Sequence, residues 1–172
     1  WKAFLESQSA RIGDDGEVRF DAAPAAADCA LCDLSHLGLI AVGGEDRAQF
    51  LQGQLTNDIR EVDAGHSQLS AFCGPKGRML ANFRVFERAH RIYLQLPASN
   101  LEPVLKRLRM FVLRAKVELE DASAQLVRIG LAGDCAPGLL AGRFPVVPEA
   151  PGAVSSQGEI TLIRLPDAGS PR

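Results

Sequence analysis

The amino-acid sequence predicts an α+β fold in which antiparallel strands pack against a few helices. Segments with the two-residue period of strands follow one another through most of the chain, and turn residues join them. Helical patterns interrupt this series without a regular strand–helix–strand alternation, so a parallel sheet is not expected. The predicted order is strands, a helix, a three-stranded meander, a helix, two strands, a helix and a final strand.

The best-defined element is a hairpin between Gly65 and Phe86. Apolar and β-favouring residues run up to Cys73, and the next four residues, Gly-Pro-Lys-Gly, reverse the chain. Alternation along the second strand gives it one wholly apolar face, made by Met79, Ala81, Phe83 and Val85. Its other face carries Asn82 and Arg84 between large apolar residues. Such a face indicates the wall of a partly polar cavity, a contact with a loop, or a solvated surface, and all three stay open here.

Before this hairpin the apolar spacing predicts several shorter elements. They are, in order, a helix over residues 1–8, strands over 17–20, 29–34 and 37–42, and a helix starting at Glu45-Asp46. Residues 22–27, rich in Ala and Pro, form a predicted linker. The helix keeps apolar spacing as far as Leu55 and ends in Thr56-Asn57-Asp58, whose side chains favour caps and turns. A helix-ending turn alone explains that triplet.

After the hairpin the sequence predicts a strand over 91–96 and then a strongly patterned helix. Ser99 and Glu102 stand at the spacing of a capping box, and Pro103 falls in the first turn, where proline is tolerated. Further strands are expected over 117–120, 125–131 and 159–165, with a short helix over 136–141, whereas residues 144–158 have little periodicity. We divide the chain into residues 1–28, a first α+β subdomain over 29–97, and a second over 98–172 that is expected to be incomplete at its C-terminus.

Length and composition are those of an ordinary globular protein. The 172 residues suffice for a core, and the apolar fraction of 47% and charged fraction of 23% are typical of soluble domains. No apolar run approaches the roughly 18 residues of a membrane span, and no secretory signal opens the chain. We therefore expect a cytoplasmic protein without a membrane partner.

Four cysteines are scattered through the chain, at Cys29, Cys32, Cys73 and Cys135. Because they are few and widely spaced, they do not predict a disulfide framework, and a reducing compartment is expected. Cys29 and Cys32 form one Cys-x-x-Cys, but they lie in an apolar strand, where a spacing of three places them on opposite faces. No second ligand pair stands at zinc-site spacing, so no metal site is predicted.

A basic segment runs from Lys76 to Lys116, with ten basic residues against two acidic ones, although the net charge of the chain is -2. Lys106, Arg107 and Arg109 fall mostly on one side of the predicted helix and are candidates for binding a polyanion. The alternative is a solvated basic face. Neither aromatic interleaving nor a nucleic-acid motif accompanies the segment, so direct nucleic-acid binding is not the favoured interpretation.

Two motifs resemble a known family, although the sequence has no triad order, phosphate-binding glycine loop or metal cluster. The motifs are Leu51-Gln-Gly-Gln-Leu-Thr-Asn-Asp58 and Lys76-Gly-Arg-Met-Leu-Ala-Asn-Phe-Arg-Val-Phe86. They are similar to those of YgfZ-type folate-binding proteins in the glycine-cleavage T-protein (aminomethyltransferase) superfamily. The resemblance covers residues 34–131 approximately.

The resemblance implies a ring of three domains around a central hole that binds tetrahydrofolate, with this chain as the first part. Carried onto this sequence, it implies that Asn57, Asn82 and Arg84 line the folate cavity and that Thr56 and Asp58 shape the turn beside it. It further implies an accessory role in the assembly or repair of iron–sulfur enzymes, including one that thiolates tRNA. The partners would then be folate, iron–sulfur enzymes and tRNA-modifying enzymes.

Two departures from the superfamily pattern bear on activity. The T-protein enzyme transfers an aminomethyl carbon with the first of two adjacent acids, and the matching pair here is Ala81-Asn82. Because alanine cannot take a proton, no catalytic residue is predicted and binding without catalysis is favoured. The family signature Lys-Gly-Cys-(Tyr or Phe)-Thr-Gly-Gln-Glu does not occur in this sequence, and we expect it beyond Arg172 in a longer parent chain.

Two other functions stay open at this point. One is a folate-dependent aminomethyltransferase or demethylase whose base has moved to another position. The other is a tRNA or protein interaction module that uses the basic residues 106–116.

Overall fold

A computed structural model describes residues 1–14, 16–20 and 29–167. The helices of these residues are α1 (Lys2–Ser7), α2 (Arg47–Gln52), α3 (Ala98–Arg109) and α4 (Ala136–Ala141), with a 3₁₀ turn at Ile59–Glu61. The strands are β1 (Ala10–Ile12), β2 (Val18–Phe20), β3 (Ala30–Asp33), β4 (Leu37–Gly43), β5 (Gln68–Cys73), β6 (Met79–Arg88), β7 (Arg91–Pro97), β8 (Glu118–Asp121), β9 (Ile129–Ala132), β10 (Val154–Gln157) and β11 (Ile160–Ile163). No helix in this part of the chain is long and apolar enough to cross a membrane.

A five-stranded sheet with the strand order β5-β6-β7-β4-β8 forms the centre of the fold. Strands β5 and β6 are the hairpin predicted from the sequence, with an irregular pairing between Phe72 and Cys73. The pairs β1-β2, β3-β9 and β10-β11 form separate two-stranded sheets. All these strand pairs are antiparallel. Since the helices interrupt them without regular alternation, the α+β prediction is confirmed.

The two faces of the sheet are buried against different elements. On one face α3 contributes Leu108 to a core that includes Phe83 and Leu94, all of them at most 1% exposed. The other face is covered at one end only, by the cluster of Leu39, Ala41, Phe86, Tyr93 and Ala122 with Leu126 and Ile163 packed against it. Strand β4 is therefore buried on both faces, which explains why its sequence is a continuous apolar run.

Most predicted elements begin and end within two residues of their expected positions, including α1, α4, β2, β3, β4, β7, β8 and β11. Two strands were not predicted. β1 is only three residues long, and β10 contains two consecutive serines inside a segment that showed little periodicity. The linker predicted over residues 22–27 lies outside the described residues.

The predicted start of α3 is wrong. Pro97 is the N-cap residue and no side chain caps the helix, so Ser99 and Glu102 do not form a capping box. The start is set instead by the preceding strand, because the Ala98 amide donates to the His36 carbonyl at 2.9 Å. Pro103 consequently lies inside the helix rather than in its first turn, and the burial of the apolar stripe offsets its missing backbone donor.

Two further boundaries differ from the prediction. Helix α2 ends at Gln52, before Leu55, because Leu55 pairs with Phe72 at the edge of β5 instead of extending the helix. Strand β9 begins at Ile129, since the preceding residues form a turn that is closed by a hydrogen bond from the Gln125 amide to the Ala122 carbonyl. In both places a tertiary or turn hydrogen bond overrides the local apolar pattern.

The spacing of the cysteines predicted no disulfide framework, but one pair is bonded: Cys29 and Cys135 form a disulfide with a Cα–Cα distance of 5.6 Å. The bond joins the start of β3 to the N-cap of α4. Cys32 and Cys73 are free thiols. The bonded cysteines are 106 positions apart, and spacing alone does not show that two such distant cysteines meet in the fold.

Candidate ligand-binding face

The sheet face opposite α3 is open next to the Phe86–Tyr93 cluster. Strand pairing places Leu69 and Gln95 on either side of Arg84, and Ala71 beside Asn82. We call these five residues the polar face. Asn82 is exposed, Leu69 is 58% exposed, and the other three are half-buried. The predicted pair Asn82 and Arg84 therefore lies on a wall that this chain leaves partly uncovered, not inside a closed cavity.

Arg84 is fixed in position by a buried hydroxyl. Its Nη1 donates to Ser67 Oγ at 3.3 Å, and Ser67 Oγ in turn donates to the Gly152 carbonyl at 2.9 Å. Ser67 is only 1% exposed. Because a buried hydrogen-bonded hydroxyl has little freedom to move, the guanidinium is oriented on the polar face rather than mobile in solvent.

The two amide side chains of the polar face have no internal partner. Neither Asn82 nor Gln95 makes a side-chain hydrogen bond to another described residue. Each amide offers donors and acceptors in one plane. Asn82 lies two residues before Arg84 on β6, and Gln95 pairs with Arg84 from β7. The face therefore presents one cation and two amides beside the apolar surface of Leu69.

The Thr56-Asn57-Asp58 turn closes the free edge of β5. The Thr56 amide donates to the Ala71 carbonyl at 3.0 Å, and Thr56 Oγ1 accepts from the Ala71 amide at the same distance. The Asn57 amide donates to Ser70 Oγ at 3.1 Å. These bonds satisfy backbone groups that an edge strand otherwise exposes. Thr56 thus stands in one row with Ala71 and Asn82 and borders the polar face at Ala71.

Asp58 is committed to Arg60. Its carboxylate accepts from the Arg60 amide at 3.0 Å and forms an ion pair with Arg60 Nη2 at 2.6 Å. The hydrogen bonds from the Arg60 side chain and backbone lower the pKa of Asp58 to about 2. The Asp58 carbonyl also accepts from Gln68 Nε2 at 2.9 Å. The charge of Asp58 is therefore already paired within the turn.

Ala81 lies on the other side of β6 from Asn82. Its side chain is 5% exposed and belongs to the core that contains Phe83 and Val85. The two members of the Ala81-Asn82 pair therefore point in opposite directions, and only Asn82 is on the polar face. Neither residue has an acidic side chain.

The predicted polyanion-binding trio on α3 is divided by the structure. Arg109 donates from Nη2 to the Leu119 carbonyl at 2.9 Å, which ties the helix to β8. Lys106 and Arg107 instead line a cleft of about 310 Å³ between α3 and the end of the β5–β6 hairpin. We call it the α3 cleft. Its other lining residues are Phe72, Leu80, Asn100, Pro103, Val104 and Met110.

Much of the remaining basic segment serves the fold. Arg91 forms an ion pair with Glu120 at 2.5 Å and Lys116 one with Glu45 at 2.6 Å. Arg88 donates to the Glu159 carbonyl at 2.6 Å. The segment is therefore not one basic surface, and the described residues contain no group of His, Cys, Asp and Glu suited to a metal ion.

Sequence reasoning missed Ser67 and Gln95. Gln95 follows Tyr93 with the two-residue period of β7, but only the strand register shows that it stands beside Arg84. The hydrogen bond from Ser67 to Gly152 joins residues 85 positions apart, and no local sequence pattern predicts it.

Comparisons with known proteins agree with this architecture. A family model described as the GCVT N-terminal domain matches residues 17–150. The chain is 33% identical over 135 residues to the tRNA-modifying protein YgfZ of Colwellia psychrerythraea and 34% identical over 136 residues to that of Photorhabdus laumondii. Each match covers 78% of this chain and 41% of the relative. The glycine cleavage system aminomethyltransferase T of Bartonella henselae superposes with a TM-score of 0.77 at 22% identity, over 98% of this chain and 50% of that one.

These findings confirm the resemblance inferred from the two motifs and the T-protein-like fold. The chain spans about 41% of the length of the curated relatives that it matches. The family model covers most of the chain, from β2 to beyond α4. The chain therefore belongs to the GCVT N-terminal domain family.

Proposed function

We propose that this chain supplies one wall of a tetrahydrofolate site in an accessory protein that supports iron–sulfur cluster assembly or repair and tRNA modification. The observation that carries the folate part is the polar face, where two unpartnered amides flank an oriented guanidinium. The name of the YgfZ relatives, tRNA-modifying protein, supports the tRNA part. The iron–sulfur part rests on the resemblance of the two sequence motifs.

The residues of the polar face fit the chemistry of a folate. A pterin ring carries amide-like donors and acceptors along one edge, which Asn82 and Gln95 match with planar amides. Leu69 offers apolar contact to a flat ring. Such a combination of apolar surface with a few placed polar groups is typical of small-molecule sites.

Arg84 suits the anionic part of the ligand. A guanidinium binds carboxylates with charge-assisted hydrogen bonds, and its bond to Ser67 orients it before a ligand arrives. The preorganised charge reduces the ordering cost of binding. A pterin carbonyl is an alternative acceptor for the same group.

The site is expected to need surfaces outside this chain. The polar face is an open wall here, and ligand sites usually bury most of their ligand. The curated relatives are more than twice as long as the matched segment, which leaves room for a covering domain in proteins of that length.

Binding without aminomethyl transfer is the favoured role. The polar face carries Asn82, which cannot act as a general base, and Ala81 lies in the core. Asp58, the acid nearest to this face in the candidate set, is paired with Arg60. A transferase or demethylase would therefore need a base from another part of the protein.

The test is the tetrahydrofolate affinity of the full-length protein, measured by isothermal titration calorimetry. Asn82→Ala or Gln95→Ala should each weaken binding about fivefold to tenfold, the effect of one neutral hydrogen bond. Arg84→Ala should weaken it by about tenfold to a hundredfold, since a charged bond is lost.

Asn100→Ala is the matched control, because it removes an exposed amide on the opposite side of the sheet, in the α3 cleft. Its affinity should equal that of the unmodified protein. Unchanged affinity in all three polar-face variants would remove the site from this face, and a loss confined to Asn100→Ala would move it to the cleft.

A further inference from the structure

We propose that the α3 cleft is a docking site for an acidic segment of a partner protein. One large apolar side chain of that segment would enter the cleft, with Lys106 and Arg107 on one side of it and the β5–β6 hairpin on the other. This site is separate from the polar face, because none of the residues that line it belongs to that face. It adds a protein-recognition function to the proposed folate-binding role.

The cleft has an apolar interior of limited size. Phe72, Leu80 and Val104 line it together with Pro103 and Met110. Its volume of about 310 Å³ is at the low end of the range of about 300–1,000 Å³ found for ligand pockets. A cleft of this size accepts an anchor side chain, not a whole helix.

The charge beside the cleft is positive, and the nearest acid along α3 is Glu102, one turn before Lys106. Lys106 and Arg107 form no ion pair or side-chain hydrogen bond with other described residues, and no acidic residue lines the cleft. Residues 103–117 contain no Asp or Glu. Arg109 and Lys116, by contrast, are used within the fold. An anionic partner is therefore the one that complements this surface.

Exposed apolar side chains extend the surface beyond the cleft. Met110, at the rim of the cleft, is 68% exposed, and Phe111 and Leu113 in the turn that follows α3 are 42% and 90% exposed. Leu113 also has a positive φ of 36°, which is unfavourable for a residue with a side chain. Methionine and arginine are enriched in protein interfaces, where an adaptable apolar surface beside a cation is useful.

A protein partner fits this surface better than a nucleic acid does. Proteins that bind single strands stack bases on exposed aromatic rings. Phe72 is the one aromatic residue that lines the cleft, and it is only 3% exposed. One further ring, Phe111, is 42% exposed in the turn that follows α3, outside the cleft lining. Two cations with a single ring outside the cleft give a weak site for RNA but a sufficient rim for a carboxylate-bearing segment.

The test uses the full-length protein and a short fluorescein-labelled peptide with a central Leu-Phe pair between glutamates, followed by fluorescence anisotropy at about 0.1 M salt. The double variant Lys106→Glu/Arg107→Glu should weaken binding by about tenfold or more, since two attractive pairs become repulsive. Met110→Ser should weaken it about threefold or more, and replacing Leu-Phe by Ser-Ser in the peptide should abolish it.

The control variant is Lys2→Glu/Arg143→Glu, which changes the net charge equally at exposed positions outside the cleft. Its affinity for the peptide should be unchanged, and all variants should bind tetrahydrofolate normally. Equal weakening in the control, no peptide binding, or tighter binding of an oligouridylate of equal charge would each overturn the proposal. None of these outcomes bears on folate binding, so the two proposals fail independently.

Discussion

Gly44 and Gly77 differ in what surrounds their missing side chain, although both have positive φ, +96° and +75°. A Cβ on Gly44 would lie 2.1 Å from the Lys116 carbonyl oxygen, whereas a Cβ on Gly77 would have no heavy atom within 4 Å. We predict that Gly77→Ala costs about 1–2 kcal/mol of unfolding free energy, the conformational term alone. Gly44→Ala should lower the unfolding free energy by about 2–5 kcal/mol, because the backbone at Lys116 and Val117, just before β8, must also move away from the new methyl group.

Urea unfolding of the two variants measures this difference directly. Equal losses of unfolding free energy in the two variants would contradict this. They would show that the backbone at Lys116, which accepts a hydrogen bond from the Asp46 amide, moves away from Gly44 at little cost.

Asp58 provides a prediction about pH. Because hydrogen bonds from Arg60 lower its pKa to about 2, folding favours the ionised form. The stabilising contribution is therefore present above the ordinary pKa of 3.8 and is lost as the pH falls through about 2. Arg60→Ala should raise the pKa of Asp58 towards 3.8, as followed by carbon-detected NMR of the carboxyl group, while Arg143→Ala should leave it unchanged. A pKa that stays near 2 in Arg60→Ala would contradict the assigned cause.

At the scale of elements, sequence reasoning succeeded where one local pattern decides the structure. The β5–β6 hairpin follows from alternation around Gly-Pro-Lys-Gly, and α4 begins and ends where its pattern predicts. It failed where distant groups compete with local preference. The start of α3 is fixed by the His36 carbonyl and not by Ser99, and Leu55 pairs with β5 rather than extending α2.

The candidate site divides in the same way. Alternation placed Asn82 and Arg84 on one face of β6, and the structure keeps them there. The register that sets Gln95 beside Arg84, and the bond that anchors Arg84 through Ser67, depend on strands meeting in three dimensions. The sequence pattern predicts one basic helix face that contains Lys106, Arg107 and Arg109. The structure shows that Arg109 is hydrogen-bonded to β8, whereas Lys106 and Arg107 line the cleft.

At the scale of the molecule, the two faces of the central sheet differ in how completely they are covered. One face is closed by α2 and α3 into the main core, and the other is closed only at the Phe86–Tyr93 end. The polar face occupies the remaining open area. A ligand or another domain that covers this area would contact β5, β6 and β7 together.

The Cys29–Cys135 disulfide is expected to stabilise the whole unit. It joins residues 106 positions apart. The loss of chain entropy for a loop of this length is worth up to about 5 kcal/mol, and disulfides typically contribute about 2–4 kcal/mol. Cys135→Ser should lower the unfolding free energy by about that amount under oxidising conditions, as measured by urea unfolding. Cys73→Ser should not lower it comparably, since Cys73 is a free thiol. Equal stability of the oxidised protein and Cys135→Ser would contradict this role.

The same bond changes what a single cut in the backbone can do. All five strands of the central sheet lie between the two bonded cysteines, so the sheet sits within one covalently closed ring of chain. A protease that cleaves at the exposed Leu113 opens this ring but separates nothing. The two fragments stay attached until a reductant acts, and α3 and β8 remain tethered close enough to pack together again.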